Sequence, residues 1–303
     1  MPARRPRRSD PAAPHDDGPA VLDHASADGL RPNGTGADRP RRSRRRLWIV
    51  CGQLALLVAF VGAWQGLAQA KVIDVFFFGE PSGVWRQLST WVQSGTAEGP
   101  LWMQAWVTFQ ETLIGFGIGV ALGVTFGILL GRIQVLADLL SVYIGAANSI
   151  PRIVLGSVFV IWFGLGMTSK VALVVVLVFF NVFFNAFQGA REVDHGLVAN
   201  ARQLGAGRIA VLLQVILPAA FSWIIASLRT AFGYAVTGAV VGELLGAQQG
   251  LGTLIAQAQG DFNPDGVYAG LLVTTTLALA AEGAITLVER RLLRWRPQRP
   301  QSP

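Results

Sequence analysis

Apolar residues along this chain fall into long runs that are separated by short polar segments. A bilayer-spanning helix needs about 20 apolar residues. The first run, 47–69, meets this length without a single charged residue. Five more candidate spans follow it, at 110–131, 136–163, 171–190, 218–242 and 267–288. The pattern predicts an all-α integral membrane protein with about six transmembrane helices.

The first apolar run also resembles a signal peptide, because Ala68-Gln69-Ala70 has the small residues of a cleavage site. A signal peptide's apolar region is only about 7–15 residues long, however. We therefore predict that residues 47–69 form a retained transmembrane helix and not a signal peptide.

The segments outside the spans differ in composition. Residues 1–46 are rich in Pro, Gly, Asp and Arg, and they predict a disordered basic tail. Residues 70–107 are amphipathic and aromatic, which indicates an extracytoplasmic loop with an interfacial helix. Residues 108–296 form the membrane core, and 297–303 form a C-terminal tail.

Three features within the spans indicate how the helices pack. Glycines recur at every fourth position from Gly115 to Gly131, which predicts one close-packed helix face. Pro151 lies inside the long third run and predicts a bend or break. Asn181, Asn185 and Gln188 share one face of the fourth span, and this face should turn away from lipid.

Composition supports the membrane assignment, since 52% of the residues are hydrophobic and 14% are charged. Of the 25 Lys and Arg residues, 11 precede residue 47 and five follow residue 289. Loops that carry an excess of Lys and Arg face the cytoplasm. With six spans, both termini are therefore expected on the cytoplasmic side, which for a bacterial protein is the inner face of the inner membrane. The clusters flank apolar spans, so we expect lipid and not nucleic acid beside them.

Side chains that would carry catalysis are sparse. The chain has one cysteine, Cys51, and three histidines that lack partners at metal-ligand spacing. Neither Lys71 nor Lys170 follows glycine as a P-loop requires. We expect no enzyme activity, metal or cofactor in this chain, and any use of ATP must come from another subunit.

The segment between the fourth and fifth spans predicts an ordered element on the cytoplasmic side. Asp194 is a candidate N-cap, and apolar residues then recur at helical spacing until Gly205-Ala206-Gly207 interrupts them. A second amphipathic helix follows and ends at Leu217-Pro218. This helix–turn–helix either lies on lipid headgroups or docks a soluble partner.

The segment resembles the signature loop of ABC-importer permeases, which runs Glu-Ala-Ala, three residues, Gly, nine residues, Ile, one residue, Leu-Pro. Ala201, Gly205, Leu217 and Pro218 fall on matching positions. Three positions depart from the pattern: Val215 replaces Ile, Ala199 replaces Glu, and Asn200 replaces the first Ala.

Further motifs resemble the nitrate/sulfonate/taurine branch of these permeases over about residues 75–296. They occur in the family's order and are Gly79-Glu-Pro-Ser82, Ile150-Pro151, Trp162-Phe-Gly-Leu-Gly166, Glu243, Gly250-Leu-Gly252 and Glu289-Arg-Arg-Leu-Leu-Arg-Trp295. The resemblance implies a permease core that pairs with a second copy, an ATPase dimer that uses ATP, and an extracytoplasmic binding protein that delivers the solute. It implies that 195–217 couples the chain to the ATPase.

Two sets of candidate residues follow, the first from the resemblance and the second from charged and amide side chains inside the spans or at their ends. The coupling set is Leu197, Ala199, Asn200, Ala201, Arg202, Leu204, Gly205, Leu217 and Pro218. The candidate path set for a small anionic solute is Arg152, Asn181, Asn185, Arg229 and Glu243.

Each path residue has a structural alternative. Arg229 either attracts an anion or pairs with Glu282, and Arg152 either attracts an anion or makes a structural contact. Glu243 either shapes an outer gate or caps a loop. The amides either bind solute or bond between helices. A secondary carrier or channel without an ATPase is the competing function, although the chain shows no internal repeat of the kind carriers have.

Overall fold

The computed structural model describes the backbone of residues 39–292, and it describes side chains from residue 48 onward except at positions 134, 136, 195, 288–290 and 292. Two units are distinguished, 1–55 and 56–303. The described part of the first unit is the beginning of helix α1, Arg39–Gln69. Most of the expected basic tail and all of the expected tail 297–303 lie outside the described residues.

The described chain is helical from end to end. After α1, the order is α2 Val75–Phe78, α3 Pro81–Gln93, α4 Leu101–Arg132, α5 Gln134–Ser149, a 3₁₀ turn Arg152–Val154, α6 Leu155–Phe163, α7 Met167–Arg191, α8 His195–Gln203, α9 Arg208–Val211, a π-helical turn Leu212–Ile216, α10 Leu217–Leu244, α11 Leu251–Gly260 and α12 Pro264–Leu292. Five of the described helices are long and apolar enough to cross a membrane, and a sixth crossing results if α5 and α6 form one bent span.

Helices α4, α7 and α10 form the centre of the second unit. The glycine face of α4 lies directly against α7, as the spacing predicted. A Cβ on Gly119 would lie 2.7 Å from the Val178 Cβ, and one on Gly127 would lie 2.7 Å from the Ala186 Cβ. A side chain at these glycines would therefore force the helices apart. On its other side α7 packs against small residues of α10, including the fully buried Ala235.

The third apolar run does not form a straight helix. Its two halves, Ala137–Ser149 and Arg152–Phe163, are bent by 76° at the break around Pro151. Proline lacks a backbone N–H and its ring clashes with the preceding turn, so the helix ends before it. The prediction of a break at Pro151 is confirmed.

Helix α1 extends beyond its expected span, and two other boundaries differ from the sequence expectation. The backbone of helix α1 begins at Arg39, whereas its candidate membrane span is Trp48–Gln69, close to the expected 47–69. Helix α4 begins at Leu101, inside the expected loop. The stretch 243–265, expected as a loop, contains α11, whose residues Leu251 and Leu254 are buried. Buried tertiary contacts, described below, stabilise the first turns of α4 and of α11, and a local apolar pattern does not reveal such contacts.

Candidate coupling elbow and polar membrane surface

Local hydrogen bonds define both ends of α8. The Asp194 carboxylate accepts a hydrogen bond from the Gly196 N–H at 2.7 Å, which confirms the expected N-cap. At the other end Gly205 adopts φ +86°, and the Ala206 N–H donates to the Ala201 carbonyl at 3.0 Å. Glycine tolerates this left-handed backbone without strain. The chain therefore turns sharply after α8, and we call residues 195–217 the elbow.

The two faces of α8 have different environments. Val198 is buried, and Ala201 packs beside it against the core cluster that contains Val211 and Ile216. The opposite face is exposed and includes the apolar side chain of Leu204, of which 90% is accessible. The other exposed candidates of this face are Leu197, Ala199, Asn200 and Arg202. One face of α8 therefore packs on the protein core, and the opposite face exposes both apolar and polar side chains.

The elbow is joined to the membrane without a flexible linker. After α9 the chain continues through the π-helical turn directly into α10 at Leu217. Leu217 is half-buried and packs on the same core cluster, while Pro218 lies in the first turn of α10, where proline is tolerated. The chain from α9 through the π-helical turn to α10 is therefore continuous helix.

Helix α10 carries a polar face at mid-membrane depth. The exposed residues that share this face are Arg229, Thr230, Gly233, Tyr234 and Thr237. Their spacing of three and four places them on one side of the helix, opposite the buried alanines. Polar groups in a span avoid lipid and face protein or a water-filled cavity. This face is consequently a candidate wall of a path.

Arg229 does not stand alone on that face. Its Nε atom lies 3.5 Å from Glu282 Oε1 of α12, and its Nη2 donates to Thr286 Oγ1 at 3.1 Å. The structure therefore contains the Glu282 pair that the sequence offered as the alternative to anion attraction.

Arg152 lies at the break between α5 and α6. Its guanidinium group donates to the Asn148 side-chain oxygen and lies 4.8 Å from the centre of the Phe180 ring of α7. Next to Phe180 in sequence, Asn181 has a buried amide oxygen without a hydrogen-bond partner. Asn185 donates to the Asn181 carbonyl at 2.8 Å, within the same helix. The two expected amides therefore lie on α7, and Asn181 directly follows the residue that contacts Arg152.

Glu243 is 1% exposed and anchors α11. Its Oε1 accepts from the Thr108 hydroxyl at 2.7 Å, and its Oε2 accepts from the Gly252 N–H at 2.6 Å. Thr108 Oγ1 in turn accepts from the Leu251 N–H at 2.8 Å, and Gln104 Oε1 accepts from the Gly250 N–H at 2.7 Å. This geometry is that of a cap on the first turn of α11.

A buried ion pair that the sequence analysis missed lies in the same region. Lys170 Nζ is 3.2 Å from Glu111 Oε1, and both side chains are almost completely buried. Lys170 lies one residue before the fourth expected span, 171–190, so the sequence placed it outside the spans. The detectable signal was the polar series Gln104, Thr108 and Glu111, which recurs at helical spacing where a loop was expected to end.

The family model described as "Binding-protein-dependent transport system inner membrane component" matches residues 119–294. The chain is 31% identical over 242 residues to the putative aliphatic sulfonates transport permease protein SsuC of Escherichia coli K12, covering 80% of this chain and 90% of that protein. It is 29% identical to the taurine transport system permease protein TauC of the same organism, covering 83% and 90%. It is 30% identical to the riboflavin transport system permease protein RibX of Chloroflexus aurantiacus, covering 85% and 94%.

A solved structure has the same fold. A chain of the inward-facing MetNI methionine ABC transporter superposes with a TM-score of 0.56 at 19% identity, covering 64% of this chain and 96% of that chain.

Proposed function

Because the chain belongs to the family of binding-protein-dependent transport system inner membrane components, we propose that it forms the membrane path for a small anionic solute and couples to a separate ATPase through residues 195–217. The chain is an ABC-importer permease of the branch that includes the sulfonate and taurine permeases, and it is not an enzyme. The solute, the coupling contact and the assembly are the finer parts of the proposal.

One observation carries the coupling proposal: the exposed side of α8 at the turn. Leu204 is 90% exposed and Leu197 is 56% exposed, beside Asn200 and Arg202. Apolar side chains clustered among polar ones are typical of a protein–protein contact. The buried side of the helix is fixed to the core, so the exposed side is available to a partner without rearrangement. A groove on an ATPase subunit would cover these leucines and pair with the polar residues around them.

The polar face of α10 supports the path proposal. Thr230, Tyr234 and Thr237 offer hydroxyl groups, and Gly233 lets a solute or a second helix approach the backbone. An importer permease of this kind works as a pair, so a second copy of the chain would close the path opposite this face. An extracytoplasmic binding protein would deliver the solute, and both termini and α8 would lie on the cytoplasmic side of the membrane.

Two of the relatives support a small organic anion as the solute. They are named for aliphatic sulfonates and taurine, although another relative is named for riboflavin. A sulfonate group is anionic at neutral pH. Positive charge on the path favours such a group, and the cations in the spans are considered below.

The test is co-purification and transport with one altered leucine. In the complex assembled with its cognate ATPase, Leu204→Glu places a charge in the contact and should abolish retention of the ATPase. Val92→Glu is the matched control, because Val92 is 67% exposed on α3 and lies away from the elbow. Both variants must insert into membranes equally well.

Retention of the ATPase by Leu204→Glu at the wild-type level would refute docking through the elbow. Solute transport by the purified chain in liposomes without any ATPase would favour a secondary carrier instead.

A further inference from the structure

The break between α5 and α6 places irregular backbone inside an apolar run. Helix α5 ends at Ser149, and the chain turns by 76° through Pro151 before α6 begins. Backbone that is not helical is tolerated at membrane depth only where protein covers it or where it lines a water-filled cavity. Ser149 and Pro151 are exposed in the single chain. The break is therefore a place where a solute can meet polar backbone.

Arg152 brings a positive charge to this break without a carboxylate to neutralise it. Its contacts are the Asn148 side-chain oxygen, the Asn148 carbonyl at 3.5 Å, and the Phe180 ring. Its Nε atom is buried and has no hydrogen-bond partner. Among the described residues, no Asp or Glu lies within ion-pair distance of Arg152.

The other cations inside the described spans, away from the span ends, form ion pairs with carboxylates. Arg229 pairs with Glu282, and Lys170 pairs with Glu111. Each of these pairs is electrically neutral as a unit, so its field falls off quickly with distance. Arg152 is therefore the source of net positive potential within the described spans, away from their ends.

The neighbourhood of Arg152 is suited to a small oxyanion. An arginine fork donates two parallel hydrogen bonds to a carboxylate, sulfonate or similar group. Among the described contacts only Nη2 of Arg152 donates hydrogen bonds, to Asn148, so N–H donors remain for such a group.

We propose that Arg152, at the break between α5 and α6, is the residue that recognises the oxyanion group of the solute on the path. Asn148 holds its guanidinium group, and Phe180 covers one of its faces. Arg229 has a structural role in its pair with Glu282 and does not select the solute's charge. This inference rests on the proposed path, and the experiment separates the two.

The experiment measures charge selectivity at a reporter cysteine, so it needs no knowledge of the natural solute. Ser149→Cys is introduced in a Cys51→Ser background of the assembled transporter; Ser149 is exposed and serine is close to cysteine in size. The probes are sulfonatoethyl and trimethylammonioethyl methanethiosulfonate, which carry opposite charges. The thiolate attacks the reagent's sulfur, forms a disulfide and releases methanesulfinate. The readout is the ratio of the two labelling rates.

We expect Arg152→Gln to lower the anionic-to-cationic rate ratio about tenfold, because the nearest unmatched charge is lost. Arg152→Lys should keep most of the ratio. The control Arg229→Gln/Glu282→Gln replaces a neutral pair with a neutral pair and should leave the ratio unchanged.

Three outcomes would overturn parts of this account. An unchanged ratio in Arg152→Gln refutes the anion site and leaves the path standing. An equal fall in the Arg229→Gln/Glu282→Gln control refutes the assignment of selectivity to Arg152. Failure of both reagents to label Ser149→Cys refutes a water-accessible path at the break.

Discussion

Replacing Glu243 tests the buried hydrogen bonds that fix α11 to the rest of the membrane core. In Glu243→Ala the Thr108 hydroxyl can turn to the Gln104 carbonyl, which lies 3.2 Å away. The Gly252 N–H has no such alternative, because its 2.6 Å bond is to the lost carboxylate. The variant therefore leaves one buried donor without a partner and a cavity beside it.

The two effects can be given magnitudes. A buried donor without a partner costs about 1–3 kcal/mol. The cavity costs a further amount of about 1–2 kcal/mol, at about 24 cal/mol per Å³ of residual volume. We therefore expect Glu243→Ala to lower the free energy of unfolding by about 3 kcal/mol, which for a chain of 303 residues corresponds to a fall in Tm of about 5 °C.

Glu243→Gln is the matched variant. Its amide oxygen can accept from the Gly252 N–H while its NH₂ donates to Thr108 Oγ1, whose proton turns to Gln104. All partners are then satisfied, and the side chain keeps its size, so no cavity forms. We expect Glu243→Gln to stay within about 1 kcal/mol of the wild type.

The assay is thermal unfolding of the purified, detergent-solubilised complex, followed by the loss of its monodisperse elution peak. Amide hydrogen exchange of the first turn of α11 gives a local readout, and it should accelerate in Glu243→Ala alone. If Glu243→Gln lost as much stability as Glu243→Ala, charge and not hydrogen bonding would fix α11. If both variants unfolded at the wild-type temperature, the anchoring role would be refuted.

Two further predictions concern packing and the buried ion pair. Gly123→Leu should lower Tm, because a Cβ there would lie 2.9 Å from the Val182 Cβ and overpacking costs about 1–3 kcal/mol. Gly117→Leu is the control and should leave Tm unchanged, because no atom lies within 4 Å of a Cβ at that position. Equal thermal shifts in the two variants would contradict the close contact between α4 and α7. Lys170→Met should destabilise the protein by about 3–5 kcal/mol because Glu111 stays buried without its cation. Adding Glu111→Leu should recover most of that loss, and a thermal double-mutant cycle without coupling would disprove the pairing.

The sequence predicted the features that depend on local pattern. The four-residue glycine spacing identified the α4 face that contacts α7, because small side chains on one helix face let a neighbouring backbone approach closely. The break at Pro151 and the Asp194 cap followed from backbone chemistry that needs no tertiary context. The turn at Gly205 followed in the same way.

Features that depend on distant partners were harder to predict. Helix α11 was interpreted as loop, because its stabilising acceptors are Glu243 and Thr108 on two other helices. The choice between the two roles of Arg229 required the position of Glu282, which only the packing of α10 against α12 provides. Arg229 has a carboxylate partner far along the chain, whereas Arg152 has none among the described residues. The linear sequence does not reveal this difference.

The contact between the exposed side of α8 and a separate ATPase is the central claim, and site-specific photo-crosslinking tests it most directly. A photoreactive residue is placed at Leu204 in the full transporter, and in a second sample at Trp85, which is 71% exposed on α3. Irradiation should link the ATPase subunit to position 204 and not to position 85. A complex that transports solute but yields no ATPase crosslink from position 204 would contradict the account.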